Sequence, residues 1–394
     1  MAATTYLITV SGPDRPGIAA SLFAAVSPER YPDIVISDIA QITIRGYLVL
    51  CVEVTMNSAT PPEVVCTAIQ QAGVSGDGVN VTVNSVEPEA FLNGKRLLLT
   101  ILAPEVTTTA LHQVFAAMAA CGATCERIVH LASYPVDCYE LVVRGPNHAT
   151  LRETLTQAAR LAGLDVAVQR AGLHRRSKHL VVMDADSTLL RDEVIDMIAE
   201  SAGCADQVSE ITASAMAGEI DFSESLRRRV RLLEGLDVSV LEDVRAKLRL
   251  TPGARTLIRT LQRLGYVPAV VSGGFVEILE PLMKELGVEY LAANRLAVRD
   301  GRLTGELDGE IVDREGKAHA LARFAGEIGV PLQQTVAIGD GANDIDMLSL
   351  AGLGIAFNAK PVVRDHADTA LNVPYLDAAL YFLGISREEI EADL

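Results

Sequence analysis

Aromatic residues and cysteine are scarce in this sequence. Phenylalanine, tyrosine and tryptophan make up 4% of the 394 residues, tryptophan is absent, and 49% of the residues are hydrophobic, so the core must be mainly aliphatic. The few cysteines form no CxxC pair and no zinc-ligand spacing, which favours free thiols in a cytosolic protein over disulfides. They stand at positions 51, 66, 121, 125, 138 and 204.

Basic residues are also few. The chain has 34 Lys and Arg against 51 Asp and Glu, a formal net charge of -17. This charge argues against a nucleic-acid partner or an anionic membrane surface, unless a local basic patch overrides it. With no N-terminal signal pattern and no long apolar stretch, we expect a soluble cytoplasmic protein. The length allows two or three domains.

The N-terminal part repeats one order of elements. Strand, helix, two strands, helix and strand are predicted twice, and the order βαββαβ is that of a ferredoxin-like domain. We expect one such domain over residues 1–87, a second over 88–172, and a linker near 87–95 between them. The first copy is predicted as strand Tyr6–Val10, helix Ile18–Val26, strands Ile34–Ile44 and Leu48–Met56, helix Glu63–Ala72 and strand Val79–Val86.

The loop after the first strand carries a more specific signal. It reads Gly12-Pro-Asp-Arg-Pro-Gly17-Ile18, and with the element order it resembles the ACT domains, small-molecule sensors that mostly bind amino acids. The resemblance implies Asp14 and Gly17 as effector-binding residues. The second copy has Ala103-Pro-Glu-Val-Thr at this place, without the glycines. A purely structural or dimerising module is the alternative, because fold does not imply function.

A buried strand followed by acids organises the C-terminal part. Leu180–Met183 is a short apolar run of the kind found in parallel sheets, and Asp184 and Asp186 follow it. Such acids lie at the carboxyl end of the strand, where open α/β sheets build their sites. Two of them suit a nucleophile and a proton donor. A turn with a helix cap is the alternative.

Three further segments fall where the same sheet would place a site. After a helical region over about 194–250, strands and helices alternate, which predicts a doubly wound parallel sheet. Ser272 and Gly273 follow one strand, Lys317 stands at a helix start, and Asp340 and Asp344 follow another strand. Each segment alone is a weak signal, since turns and helix caps use the same residues.

In this order and spacing, the segments resemble the haloacid dehalogenase superfamily and, within it, the phosphoserine phosphatase family. The quoted matches are MDADSTLLRDEVID, SLRRRVRLL, VVSGGF, ANRL and GDGANDIDML. The resemblance implies a phosphatase domain over 173–394 with a helical cap at about 194–252. The site roles that it implies are Asp184 as nucleophile, Asp186 as general acid and base, Lys317 and Ser272 as catalytic groups, and Mg²⁺ held by Asp184, the carbonyl of Asp186 and Asp340, with Asp344 supporting the metal.

The resemblance also implies the groups that recognise substrate. Glu193 matches the partner of an α-ammonium and Arg229 the partner of an α-carboxylate, a group that guanidinium grips well. Without the resemblance, a first-turn acid and a solvated basic face would be the simpler interpretations. The remaining substrate-binding residues it implies are Met216 and Phe222 of the cap, Asn343, and Ser272, Gly273 and Lys317 around the phosphate.

The function that this resemblance implies is hydrolysis of O-phospho-L-serine to L-serine and phosphate through an aspartyl phosphate, the last step of L-serine biosynthesis. We expect L-serine to regulate it at the ACT domains, and a homodimer formed through them. Transfer of the phosphoryl group to homoserine on the same scaffold is one alternative. A catalytically dead amino-acid sensor is another, although Asp184, Asp186, Lys317 and Asp340 are all present.

Overall fold

The computed structural model describes residues 4–56, 60–86, 95–145, 148–172, 175, 177–216 and 219–392. The chain divides into two compact units, Met1–Asn93 and Gly94–Leu394. Among the described residues, no helix combines the length and the apolar character that a membrane crossing requires.

The first unit is the predicted ferredoxin-like domain. Its strands form an antiparallel sheet in the order β2-β3-β1-β4. Every second residue of β1 is buried, since one face of the sheet packs on the two helices. All ten residues of the edge strand β2 are exposed. The elements are β1 (Thr4–Pro13), α1 (Ile18–Ala25), β2 (Val35–Ile44), β3 (Tyr47–Met56), α2 (Pro62–Gln71) and β4 (Asn80–Val86).

The second copy of this architecture opens the second unit. Its sheet has the matching order β6-β7-β5-β8, and the side chain of Thr107 caps the first helix by accepting from the Ala110 backbone N–H at 3.2 Å. The repeated element order predicted from the sequence is confirmed. The elements are β5 (Lys95–Ala103), α3 (Thr108–Ala120), β6 (Thr124–Ala132), β7 (Asp137–Gly145), α4 (His148–Ala162) and β8 (Asp165–Arg170).

A six-stranded parallel sheet forms the centre of the rest of the unit. Its order is β11-β10-β9-β14-β15-β16, so the strand that leads to Asp184 is central, as the doubly wound prediction requires. All four residues of β9 are buried, because helices cover both faces of the sheet. The strands are β9 (Leu180–Met183), β10 (Val267–Phe275), β11 (Tyr290–Asn294), β14 (Thr335–Gly339), β15 (Gly354–Phe357) and β16 (Thr369–Leu371).

The predicted helical region after β9 is a cap of separate helices. These are α5 (Val194–Ala202), α6 (Ala205–Met216), α7 (Phe222–Arg231) and α8 (Ser239–Lys247). A two-stranded hairpin, β12 (Leu296–Arg299) and β13 (Arg302–Leu307), turns at Asp300-Gly301 as predicted. The further α-helices are α9 (Ala254–Arg263), α10 (Val276–Leu286), α11 (Arg314–Ile328), α12 (Ile345–Leu350), α13 (Pro361–Arg364), α14 (Ala379–Phe382) and α15 (Arg387–Ala392).

The second ferredoxin-like domain shares its hydrophobic core with the parallel-sheet region. Leu102 and Cys138 of that domain belong to the same buried cluster as Tyr381 and Leu383 near the C-terminus. Thr369 of β16 also donates a hydrogen bond of 2.9 Å to the carbonyl of Val166 in β8. The second domain is therefore integral to this unit rather than a separately packed module.

Candidate active site

The predicted acids and the serine meet at one edge of the parallel sheet. Asp184 follows β9, Ser272 lies near the end of β10, and Asp340 follows β14. Because β9 pairs with both β10 and β14, the carboxyl ends of the three strands lie side by side. The strand order thus explains how residues separated by up to 156 positions (184 to 340) form one site.

A buried ammonium group holds two carboxylates together. Lys317 is 0% exposed, and its Nζ lies 2.7 Å from Oδ1 of Asp184 and 2.7 Å from Oδ1 of Asp344. Burial acts to lower the pKa of Lys317, but the charges of the two carboxylates outweigh burial and raise it. Burial, then the charge of Asp344, raises the pKa of Asp184, and Lys317 opposes both. Lys317 is therefore a permanent cation beside Asp184.

Asp186 lies in the sharp turn that follows Asp184 and has its own hydrogen-bond partners. Ser187 has φ of 56°, a left-handed conformation, inside the single turn Ala185–Leu189. Asp186 accepts hydrogen bonds from Ser272 Oγ at 3.1 Å and from the Val194 backbone N–H at 2.9 Å. Burial, then the charge of Glu193, raises the pKa of Asp186 to about 7. A carboxyl group with that pKa can both donate and accept a proton near neutral pH.

Three carboxylates form the group best suited to a cation. Ligand oxygens of Asp184, Asp340 and Asp344 all lie within 4.8 Å of one another. Thr188 orients Asp340 by donating to its Oδ1 at 3.0 Å, and burial, then the charge of Asp344, raises the pKa of Asp340 to about 6. One ammonium against these acids leaves an excess of negative charge, so an oxygen-binding divalent cation fits the donor set.

Both carboxylate oxygens of Asp344 have partners within the protein. Its Oδ1 binds Lys317, and its Oδ2 accepts from the Gly341 backbone N–H at 2.9 Å. These contacts favour the supporting role predicted for Asp344, because direct metal binding would compete with them. Asn343 lies half-buried in the same turn, Ala342–Asp344.

Close neighbours favour glycine near the end of β10. A Cβ on Gly274 would lie 3.0 Å from Oδ2 of Asp186, and one on Gly273 would lie 3.1 Å from Cζ of Phe222. The Gly274 backbone N–H donates to Ser272 Oγ at 2.8 Å, which fixes the hydroxyl between Gly274 and Asp186. The end of β10 therefore places the Ser272 hydroxyl and the backbone of Gly273 and Gly274 at the site. The predicted cap residue Phe222 lies against Gly273.

The cap adds charges of both signs. Ser187 Oγ donates to Glu193 at 3.0 Å, and Glu193 is exposed at the start of α5. Burial lowers the pKa of Arg229 in α7, while the charges of Asp196, Glu193 and Asp186 act to raise it. Glu193 and Arg229 thus both interact electrostatically with Asp186. The side chain of Met216, the other predicted cap residue, lies outside the described residues.

Three family models match this chain. One, described as haloacid dehalogenase-like hydrolase, matches residues 181–349, and two ACT domain models match residues 4–73 and 98–169. Phosphoserine phosphatase of Streptomyces coelicolor is 50% identical over 402 residues, which cover 98% of this chain and 94% of that protein. The chain belongs to the phosphoserine phosphatase family. The family's SerB2 of Mycobacterium tuberculosis is 45% identical over 394 residues, 99% of this chain and 96% of that protein.

The fold of the C-terminal half agrees with this phosphoserine phosphatase family membership. A solved structure described as a phospho-aspartyl intermediate analogue of phosphoserine phosphatase matches with a TM-score of 0.50 and 43% identity, covering 52% of this chain and 98% of that one. The predicted fold class, two ACT domains before a haloacid dehalogenase domain, is confirmed.

Two buried polar residues of the phosphoserine phosphatase site were not predicted. Thr188 orients Asp340, and Asn294 donates from Nδ2 to the Gly273 carbonyl at 2.8 Å. Both residues stand in sequence segments that carry the family resemblance, DADST and ANRL. A polar side chain beside apolar residues was the only sequence signal for Thr188 and Asn294. Their hydrogen-bond partners, Asp340 and Gly273, are distant in sequence and are brought to them by the tertiary structure.

The predicted effector loop lies in the first ACT domain. Gly17 has φ of 96° at the start of α1, a conformation that favours glycine. The Asp14 side chain is exposed and accepts from Thr43 Oγ1 at 3.4 Å. The loop is thus a solvent-facing turn at a helix start.

Proposed function

We propose that this chain hydrolyses O-phospho-L-serine to L-serine and phosphate. One arrangement carries the proposal: the nucleophile candidate Asp184 lies against Lys317, while a carboxylate and a guanidinium, Glu193 and Arg229, interact electrostatically with each other and with Asp186. A phosphoryl group fits the first pair, and the ammonium and carboxylate of an amino acid fit the second.

The contacts of Asp184 indicate which oxygen attacks phosphorus. The Ala185 backbone N–H donates to Oδ1 at 2.8 Å, and Lys317 binds the same oxygen. Oδ2 is therefore the oxygen that forms the bond to phosphorus, as the bond from phosphorus to the serine oxygen breaks. Lys317, Ser272 Oγ and the Gly273 backbone stabilise the phosphoryl oxygens, and Lys317 offsets the repulsion between two anions.

Asp186 acts as general acid in the formation of the aspartyl phosphate and as general base in its hydrolysis. In its protonated form it donates to the departing serine oxygen, and as a carboxylate it then removes a proton from the water that attacks the aspartyl phosphate. The hydrogen bonds from Ser272 and Val194 hold its carboxyl group in place for both transfers.

The cation proposed for this site is Mg²⁺, held by Asp184, the backbone carbonyl of Asp186 and Asp340. When bound, it would supply positive charge that neutralises the phosphate and the surrounding carboxylates. The carboxylate group Asp184, Asp340 and Asp344 supports this assignment.

A phosphate-release screen tests the proposed reaction. We expect O-phospho-L-serine to be preferred over phosphorylated sugars and other phosphorylated amino acids, with Mg²⁺ present, and activity to be lost on chelation. Stronger activity on sugar phosphates would contradict the substrate assignment. Adding homoserine distinguishes transfer from hydrolysis, because a transferase would form phosphohomoserine instead of free phosphate. No phosphate release from any ester would favour the catalytically dead sensor.

Arg229→Ala tests recognition of the carboxylate. Losing one partner of a charge-assisted pair costs about 2–5 kcal/mol, so kcat/KM for phosphoserine should fall by about 30-fold or more. The same variant should change kcat/KM little for p-nitrophenyl phosphate, which has no α-carboxylate. Equal losses on both esters would remove Arg229 from this role.

L-Serine is the proposed effector at Asp14 and Gly17, because backbone N–H groups at the start of α1 suit a carboxylate and Asp14 suits an ammonium. Deletion of residues 1–93 is the appropriate test, because the second ACT domain shares its core with the phosphatase region. The shortened enzyme should stay active and lose most serine inhibition, and Asp14→Ala should weaken it, whereas Asp33→Ala should not. Unchanged inhibition would place serine at the active site.

A cytoplasmic homodimer completes the proposal. The edge strand β2 exposes Val35, Ile39, Ile42 and Ile44, at 61%, 49%, 51% and 63% of their surface, next to unpaired backbone groups. Such an edge is a template for pairing with another strand, and the commonest partner is a second copy. Ile42→Lys should convert the dimer to a monomer in light-scattering measurements, and an unchanged mass would exclude this edge.

A further inference from the structure

The hairpin β12–β13, which follows strand β11 of the parallel sheet, is hydrogen-bonded to the cap. The backbone of Leu303 forms two hydrogen bonds with the cap loop that follows α7. Its carbonyl accepts from the Gly235 N–H at 2.8 Å, and its N–H donates to the Leu236 carbonyl at 2.9 Å. The Val238 N–H donates to the Gly301 carbonyl at 3.0 Å. Leu303 is also buried in one cluster with Leu233 of the cap.

Two hairpin residues fit closely against the end of α7. Arg302 Nη1 donates to the Gly235 carbonyl at 2.7 Å. Gly305, at φ of 78°, has no room for a side chain: a Cβ there would lie 2.9 Å from Cβ of Glu234 and 3.3 Å from Cα of Arg231. Since α7 carries Arg229 two residues before Arg231, a side chain at Gly305 would press on the end of the helix that presents Arg229.

The base of the hairpin is fixed to the phosphate side of the pocket. Asn294, 1% exposed, ends β11 two residues before β12. Its Nδ2 donates to the Gly273 carbonyl at 2.8 Å, and its Oδ1 accepts from the Val312 N–H at 2.8 Å, just before the helix that carries Lys317. Asn294 and the hairpin therefore connect the end of β10, at Ser272 and Gly273, to the C-terminal end of α7 through hydrogen bonds and the chain itself.

We propose that the hairpin sets the distance between the phosphate site and the carboxylate site, with Gly305 and Arg302 as positioning residues for Arg229. Neither residue touches substrate. They act by holding the end of α7 at a fixed distance from Gly273, so that one phosphorylated amino acid spans both sites. This inference rests on the proposed function, in which Arg229 binds the α-carboxylate.

The test compares two substrates in the full-length enzyme. Gly305→Ala should lower kcat/KM for phosphoserine on the order of tenfold or more, mainly through KM, because small misplacements of a binding group have large effects. Arg302→Ala should lower it several-fold, and Arg302→Lys should recover part of the loss. None of these three variants should change kcat/KM for p-nitrophenyl phosphate more than about twofold. Arg302 is exposed, so its variants should fold even if Gly305→Ala does not.

Arg299→Ala is the matched control. Arg299 lies opposite Arg302 in the hairpin register and is exposed, and within the described part of the chain its side chain makes no hydrogen bond or ion pair. It should leave both substrates unaffected. Suppose that Arg229→Ala is selective for phosphoserine. If Arg302→Ala and Gly305→Ala then reduce activity on both esters equally, or on neither ester, the positioning role is wrong and the proposed function stands. If Arg229→Ala itself is not selective, the positioning role fails together with the assignment of Arg229 to the α-carboxylate, while hydrolysis of phosphoserine is decided separately by the phosphate-release screen.

Discussion

Lys317 and Asp344 form a fully buried ion pair, each 0% exposed, with 2.7 Å between Nζ and Oδ1. The pair links the helix α11 to the turn after β14, and the same ammonium contacts Asp184. The buried charge of the nucleophile candidate thus depends on a lysine that Asp344 holds in place.

Asp344→Ala should therefore reduce both stability and turnover. Removing one partner of a buried pair costs about 3–5 kcal/mol, and the Gly341 N–H also loses its acceptor. We expect a clear fall in the thermal unfolding midpoint and a fall in kcat on the order of 10²-fold or more. Asp344→Asn, which keeps one oxygen, should lose less stability. Wild-type turnover in both variants would show that Asp344 does not support the site.

The junction of the second ACT domain with the phosphatase region contains another buried pair. Arg175 and Glu140 form an ion pair and are 7% and 8% exposed, and Arg175 Nε also donates to the Phe382 carbonyl at 3.3 Å. Glu140→Ala leaves a buried guanidinium without its counter-charge, at a cost of about 3–5 kcal/mol.

Thermal unfolding checks this expectation against an exposed pair. Glu285→Ala breaks the pair between Arg255 and Glu285, whose side chains are 60% and 59% exposed, and should change the free energy of unfolding by less than about 1 kcal/mol. Equal midpoints for Glu140→Ala and Glu285→Ala would mean that the junction contributes little stability.

Asp165 at the same junction should make stability depend on pH. Burial raises its pKa from 3.8 to about 6, against the hydrogen bonds donated by Asn372. The folded state therefore holds a proton at pH values where the unfolded chain has lost it. The resulting stabilisation is fully present below pH 3.8 and is lost as the pH rises through about 6.

Asp165→Asn removes this titration. The difference in unfolding free energy between wild type and Asp165→Asn should be more favourable to wild type at about pH 5.5 than at about pH 7.5, by about 1 kcal/mol. Asp365→Asn, which removes an exposed carboxylate that pairs with Arg160 at the same junction, is the matched control for the loss of a carboxylate. A constant difference for Asp165→Asn would contradict the assignment.

Much of the site could be predicted because its residues follow strands. Asp184, Ser272 and Asp340 come directly after or near the end of apolar runs, and the parallel sheet brings those ends together. Lys317 was predicted at the first position of its helix. The helix begins earlier, at Arg314, because Asp313 caps it by accepting from the Gly316 N–H at 2.9 Å.

Other parts had no local signal. The strands Tyr290–Asn294 and Thr369–Leu371 were not predicted, since they are short and gain stability from pairing with distant neighbours. The roles of Asn294 and Asp165 depend on partners 18 or more residues away, so no nearby pattern marks them. The cap was predicted as one helical stretch, but the helix boundaries within it follow caps such as Asp221.

The central claim is that Asp184 is phosphorylated during turnover. Asp184→Asn keeps the shape of the side chain and removes the attacking charge, so turnover should fall on the order of 10⁴-fold or more, with the fold retained. Rapid acid quench of the wild-type enzyme with ³²P-labelled phosphoserine tests the intermediate directly. The account predicts label on the peptide that contains Asp184, and none in Asp184→Asn. Label on another residue, or a tenth of wild-type turnover in Asp184→Asn, would contradict it.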